Sequence, residues 1–353
     1  MTDTFHAAVL TALNKPLEIW ELKIPRLERG QVLVKNLASG ICRSQLMEST
    51  GMRGEDKWLP HLLGHEGVGE VQAVGPDVTK VQQGDIVVTS WIPGDGIQSS
   101  NPKYLTTSGN QVNSGSATTF SEFSVVSENR VFPAPQGFPM SFLPQFGCAL
   151  LTGGGMVVST LNGKILQKGT RVLVLGFGGV GTAAALVLKS YPELEIVIIE
   201  KSVDRQQTAI DHGFKDVYSS ITNYSESNKY QELNFDYCFE SAGSVESIQT
   251  GFNAIADQGT LVFASHPPKG DLVSLDPFDF IKGKTIKGTW GGDTAPEQAM
   301  LEIGNRLSKV GVNYELMTGP KFSLEAVNDG LSYLATGGAG KPILIFGAHI
   351  DAN

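Results

Sequence analysis

Cysteine is scarce: the 353 residues hold only Cys42, Cys148 and Cys238. An odd, sparse set is a poor disulfide framework and suits a reducing compartment, so a cytoplasmic location is expected. Positive charge is short as well, with 27 Lys and Arg against 36 Asp and Glu and a net charge of −9. Such a surface repels phosphate backbones and anionic lipid, which argues against nucleic-acid or membrane partners. No apolar run approaches the ~20 residues needed to span a bilayer. Met1 to Leu10 lacks a basic stretch followed by an apolar core, so no signal peptide is expected. No internal repeat or low-complexity tract is evident. With so few cysteines, thiolate metal ligation becomes the functional reading to examine.

What is there reads as an α/β chain of two domains, since 353 residues exceed one compact core. Residues 1 to about 90 are β-rich. Val32 to Lys35, Gly67 to Val74 and Asp85 to Val88 fit strands of a bent sheet, with turns at Gly75-Pro76-Asp77 and Gln83-Gly84-Asp85. Pro93 to Thr119 is rich in Gly, Ser, Thr and Asn and reads as a long surface loop. Near residue 150 the pattern turns to alternating strands and helices, as a doubly wound parallel sheet requires. The expected division is a domain over 1–150, completed by about 291–353, and a second over 151–290.

Arg171 to Leu175 is a buried strand, followed by Gly176-Phe177-Gly178-Gly179-Val180-Gly181, a G-x-G-x-x-G that opens a helix. Glycine permits the tight turn, lets backbone approach a pyrophosphate and lets helix and strand pack closely. Glycines also serve ordinary turns, so the context matters. Glu200 ends the next strand, where an acid bonds ribose hydroxyls and repels a 2′-phosphate. NAD is therefore expected over NADP, with Lys201 and Arg205 close enough to soften that exclusion.

Cys42, His65 and Cys148 offer two thiolates and one imidazole, a three-ligand zinc set that leaves a fourth position for substrate. Zinc in such a site makes an alkoxide accessible near neutral pH and polarises a carbonyl in reverse. Far apart in sequence, each residue taken alone fits a small buried hydrophobe or a satisfied polar group equally well. Cys238, in an apolar strand, is expected to be packing, and His61 to be solvated beside a turn, while the residues around His266 leave its role open. Trp58 and Trp91 fit either packing or a substrate entrance. His6, His212 and His349 carry no functional argument.

The segments Gly40-Ile41-Cys42-Arg43-Ser44, Gly64-His65-Glu66 and Gly147-Cys148, with the nucleotide fingerprint, resemble the zinc-containing medium-chain alcohol dehydrogenases over nearly the whole chain. The resemblance implies a GroES-like β-rich catalytic domain plus a Rossmann domain, with Cys42, His65 and Cys148 on a catalytic zinc. It further implies that Ser44 accepts the alcohol's proton, Glu66 sits behind the zinc, Thr152 packs near the nicotinamide and His266 lies near the nicotinamide segment. Arg43 and Lys341 would contact the cofactor pyrophosphate. A homodimer or homotetramer is implied as well, and the reaction is hydride transfer between an alcohol and NAD. A polyol, sugar or sugar-nucleotide substrate is the alternative, motivated by the polar stretch Gly94 to Thr119. A nucleotide-binding protein that has lost turnover is a third reading.

Three departures from the family pattern stand out. The segment Pro93 to Thr119 has no cysteine, so no structural zinc is expected. Gln45 occupies the usual place of an aspartate that supports the zinc histidine, and an amide brings no negative charge. Met47 stands where some members carry a proton-relay histidine.

Overall fold

The computed structural model describes residues 3–227, 233–265, 267–268 and 270–347. His266 and His349, considered above, lie outside the described residues. The chain divides into two units, Met1–Cys148 with Thr318–Asn353, and Ala149–Met317.

The first unit is β-rich. Its central strand, Gln31–Gly40, pairs antiparallel with Glu66–Val74, Phe123–Ser127 and Lys341–Ile345. Val32, Val34, Val71, Val87 and Val126 form one buried cluster, branched side chains that fit a pleated surface. A smaller sheet runs in the order His61–Leu62, Thr4–Leu10, Glu18–Lys23, Tyr104–Thr106, Gln111–Val112. The last two strands lie inside the polar stretch expected to be loop. Tyr104–Thr106 extends the sheet through Leu22↔Thr106, and Tyr104 is buried with its hydroxyl oxygen accepting from Val125 N at 2.9 Å. Two large side chains, Tyr104 and Val112, anchor a hairpin too short for alternation to show. The polar residues nearby serve the same segment: Thr106 Oγ1 accepts from Asn110 N at 2.9 Å, and Ser99 Oγ donates to Arg29 O at 2.8 Å.

His61 also departs from expectation. It is buried rather than solvated, with Nδ1 2.9 Å from Leu62 O and Nε2 2.8 Å from Asp56 Oδ2. Pairing of His61 and Leu62 with Leu10 and Val9 draws the ring inward.

The second unit is a parallel six-stranded sheet in the order Asp216–Tyr218, Leu194–Ile199, Thr170–Leu175, Phe235–Glu240, Ile255–Phe263, Thr285–Gly288. Numbered along the chain this is 3-2-1-4-5-6, the doubly wound Rossmann order. Cys238 is buried among Leu175, Phe252 and Leu261, a packing residue.

The return to the first unit comes at Thr318, not near 291 as the weakening alternation implied. Helix Pro296–Val310 explains the difference. It buries Ala299, Met300, Ile303 and Leu307, and Ile303 Cδ1 sits so close to Gly154 that an added Cβ would lie 3.0 Å away. An amphipathic stripe of this kind belongs with whatever covers it, which periodicity alone does not reveal.

His212 follows helix Val203–Asp211 and packs beside Phe177, ring centroids 6.3 Å apart. Burial, reinforced by the Lys189 ammonium, pushes its imidazole down to about 4. The unfolded chain then binds a proton between about pH 6.5 and 4 that the folded chain refuses. Stability should be full above pH 6.5 and fall by about 2 kcal/mol as the pH drops towards 4. Urea unfolding at several pH values should show His212→Gln with a shallower acid loss over that window; an unchanged slope would refute the assignment.

Candidate metal centre and dinucleotide loop

Cys42 leaves the strand Gln31–Gly40 and caps the helix Arg43–Ser49, with extended φ −106 and ψ 154. Its backbone N–H donates to Gln45 Oε1 at 2.9 Å, the side-chain half of a capping box. Gln45 is buried, and its other amide atom stands 2.6 Å from His65 Nδ1. Ser44 Oγ is 3.3 Å from the same nitrogen.

His65 follows Gly64, which adopts φ +88. A Cβ there would fall 2.5 Å from Thr119 Oγ1 and 2.7 Å from Phe120 N, so only glycine makes the turn that aims the histidine. Its Nε2 lies 3.3 Å from Cys148 Sγ. Cys148 ends the 3₁₀ turn Leu143–Gly147, and Gly147 lets it approach: a Cβ would come 2.3 Å from Thr89 O.

One ligand atom from each of Cys42, His65, Glu66 and Cys148 falls within 4.8 Å of the others. Two sulfurs and an imidazole nitrogen are the donors zinc prefers, and such a separation suits ligands of one ion. The electrostatics agree. A hydrogen bond from the Cys148 thiol holds Cys42 well below the usual thiol range, against burial and with help from Lys341. Serving as that donor, and being buried, pushes Cys148 well up. The two sulfurs thus face each other across a hydrogen bond in a place where a divalent cation would sit.

Glu66 is fully buried behind the sulfurs, and burial raises its carboxyl against the pull of Lys341. Lys341 Nζ forms an ion pair with Glu66 Oε1, while Oε2 has no hydrogen-bond partner. Burial works against this ammonium, yet Glu66, Cys42 and Cys148 together raise its pKa. Lys341, expected at the pyrophosphate, is therefore buried and committed to Glu66. Register explains it: Ile343 pairs with Gly40, so Lys341 enters beside Glu66. Gly40 makes the room, since a Cβ there would meet Glu66 Cδ at 2.7 Å and Lys341 Cε at 2.8 Å. Neither Gly40 nor Gly147 received a role from the sequence, although both stand in the quoted motifs. Trp91 lies against the site, its ring 6.3 Å from that of His65. Met47 is buried, Trp58 is 70% exposed, and Arg43 is exposed on the first helical turn.

In the second unit Gly176 turns the chain with φ +87, and Gly178 caps helix Gly179–Leu188. A Cβ on Gly181 would lie 1.9 Å from Gly176 O, so strand end and helix start touch through backbone. Thr152 is buried in the segment Leu150–Gly154, whose Gly153 packs so tightly on Val180 that a Cβ would stand 2.0 Å from Val180 O. Glu200 accepts from Phe177 N at 2.6 Å and from Ser202 N at 2.9 Å, placing its charge at the glycine loop. Arg205 Nη1 would be 3.9 Å from a Cβ on Gly178, whereas exposed Lys201 pairs with Glu246 at 3.3 Å.

Residues 28–136 match the alcohol dehydrogenase GroES-like domain model, and residues 179–306 the zinc-binding dehydrogenase model. Among solved structures, benzyl alcohol dehydrogenase from Acinetobacter calcoaceticus is 24% identical with a TM-score of 0.85, covering 98% of this chain and 100% of its own. Cinnamyl alcohol dehydrogenase from Sorghum bicolor is 21% identical with a TM-score of 0.78, covering 99% and 100%. An NADP-bound protein of zinc-binding dehydrogenase type from Sinorhizobium meliloti 1021 is 18% identical with a TM-score of 0.79, covering 98% and 100%. At these identities the structures establish a common fold, while the two family models together take in more than half of the sequence. With a GroES-like unit, a Rossmann unit and a Cys–His–Cys cluster in one chain, the protein belongs to the zinc-type medium-chain dehydrogenase/reductase family.

Proposed function

We propose that this protein is a zinc-dependent, NAD-linked alcohol dehydrogenase, interconverting an alcohol and its aldehyde or ketone. One observation carries the proposal: Cys42, His65 and Cys148, remote in sequence, bring their ligand atoms into one cluster. Cys42, His65 and Cys148 would hold the ion, and Glu66 would lend negative charge from behind, steadied by Lys341. When bound, zinc supplies Lewis acidity to the substrate oxygen and NAD supplies the hydride acceptor.

The chain's own groups then have defined tasks. The hydroxyl of Ser44, on the first turn of its helix and 3.3 Å from His65 Nδ1, accepts the alcohol's proton as it passes its own on to water or a ribose hydroxyl. The amides at the start of helix Gly179–Leu188 hold the pyrophosphate, with Arg43 as a further anion partner. Thr152 borders the nicotinamide. Glu200 binds the adenosine ribose and disfavours a 2′-phosphate.

Reduction of NAD by a panel of benzyl, cinnamyl, aliphatic and polyhydric alcohols tests the assignment. The activity should vanish on chelation and return with zinc. A zinc-replete protein that oxidises no alcohol and reduces no carbonyl would sink it. No contact favours the polyol alternative, because the polar stretch behind it bonds to its own hairpin and neighbouring backbone.

Cofactor choice gives a separate expectation. Glu200→Gln keeps an acceptor for one backbone N–H and removes the charge that faces a 2′-phosphate. The ratio of kcat/KM for NAD over NADP should fall about tenfold or more, given the Coulomb energy of two close charges. An unchanged ratio would mean that Glu200 does not select the cofactor.

A further inference from the structure

Gln45 meets two partners with opposite demands. Cys42 N–H can only donate, so the amide atom 2.9 Å from it must be the carbonyl oxygen. That leaves the amide NH₂ facing His65 Nδ1 at 2.6 Å, and a nitrogen facing a donor must present its lone pair. The ring proton of a neutral His65 then sits on Nε2, which points at Cys148 Sγ from 3.3 Å. Coordination requires the reverse, because the lone pair of Nε2 must be free and the proton must move to Nδ1.

Turning the amide over does not resolve the conflict. Its oxygen would then accept from Nδ1–H, but the NH₂ would confront Cys42 N–H. A carboxylate accepts in both directions, whereas an amide accepts in one only. Gln45 is buried, at 2% exposure, so water does not relieve whichever donor loses its acceptor. Ser44 Oγ also lies 3.3 Å from Nδ1, but in the proposed reaction that hydroxyl serves the substrate.

We propose that Gln45 is a positioning residue that weakens ion uptake by holding His65 in the tautomer opposed to coordination. The proposal rests on the metal-site assignment of Cys42, His65 and Cys148. Metal occupancy would then track free zinc in a range where a carboxylate-supported site stays saturated.

Zinc affinity, measured on the full chain by competition with a chromogenic chelator, distinguishes the possibilities. Gln45→Glu, of the same length, should bind zinc about 10- to 100-fold more tightly. Gln45→Met adds no charge and removes the misplaced donor, so it should bind several-fold more tightly than the wild type. Weaker binding by Gln45→Met would show that the amide supports the ion and would overturn the proposal. Equal affinity in all three proteins would also overturn it while leaving the metal site intact. No binding by the wild type or Gln45→Glu would instead defeat the metal-site assignment itself. A readout that does not depend on these variants folding is nitrogen NMR of histidine-labelled, metal-free wild type, with His65 assigned by loss of its signal in His65→Gln. The Nε2–H tautomer is expected, and an Nδ1–H tautomer would refute the proposal.

Discussion

Cys42→Ala is expected to lower kcat/KM for alcohol oxidation by about a thousandfold or more, and to remove zinc from the purified protein. The size follows from the loss of Lewis acidity, which contributes several kcal/mol when each 1.36 kcal/mol is a factor of ten. The fold should survive. Substitution removes only the sulfur half of the Cys42–Gln45 capping box, and the half in which the Cys42 backbone N–H meets Gln45 remains, so the loss is about 1 kcal/mol. NAD affinity should change little, because the glycine loop and Glu200 belong to the other unit. His65→Ala should match it in activity with a larger loss of stability, since Gln45 and Ser44 are then left facing a void. Kinetics, elemental analysis and circular dichroism on the same preparations decide the matter. Near-normal turnover by a zinc-free Cys42→Ala protein would end the proposed chemistry.

Gly181→Ala should be the most damaging single methyl in the nucleotide unit. The new Cβ would stand 1.9 Å from Gly176 O and 2.6 Å from Ser241 Oγ, and the nearer obstacle is backbone. Helix and strand must separate, which typically costs about 1–3 kcal/mol and would also displace the amides proposed to hold the pyrophosphate. Gly179→Ala is the natural control, two residues away in the same motif. Its Cβ would meet only Ala149 Cβ at 3.5 Å, an ordinary contact, so stability should hold within about 0.5 kcal/mol. Calorimetric NAD titration and urea unfolding of both variants should separate them clearly. Equal behaviour would show that the close approach at Gly181 is not a requirement of the site.

The nucleotide loop was legible because everything it needs is local. A strand, a turn that demands positive φ and a helix start occupy Thr170–Leu175 and Gly176–Leu188 without interruption. The metal cluster was legible by resemblance, not by spacing, since more than 80 residues separate His65 from Cys148. Its surroundings were harder. The resemblance implies a place for Lys341 at the pyrophosphate, whereas antiparallel register with Gly40 turns it towards Glu66. The weakening alternation after Gly291 implies a return to the first unit there, whereas the helix Pro296–Val310 stays in the second, because an apolar stripe fits any complementary face. The hairpin at Tyr104 and Val112 reads as loop in the sequence, because its two buried side chains are separated by a polar run whose partners, such as the Asn110 N–H that donates to Thr106 Oγ1, sequence does not display.

Sequence alone determined the two-part architecture and the parallel nucleotide sheet, because periodicity and turn chemistry act between near neighbours in the chain, while the sulfur and nitrogen donors came from the family resemblance. Only the tertiary structure decided which charge faces Glu66, which way the Gln45 amide must point and where the chain re-enters its first unit. Those outcomes depend on strand register and on donor–acceptor matching across space, and neither is written in the order of residues along the chain.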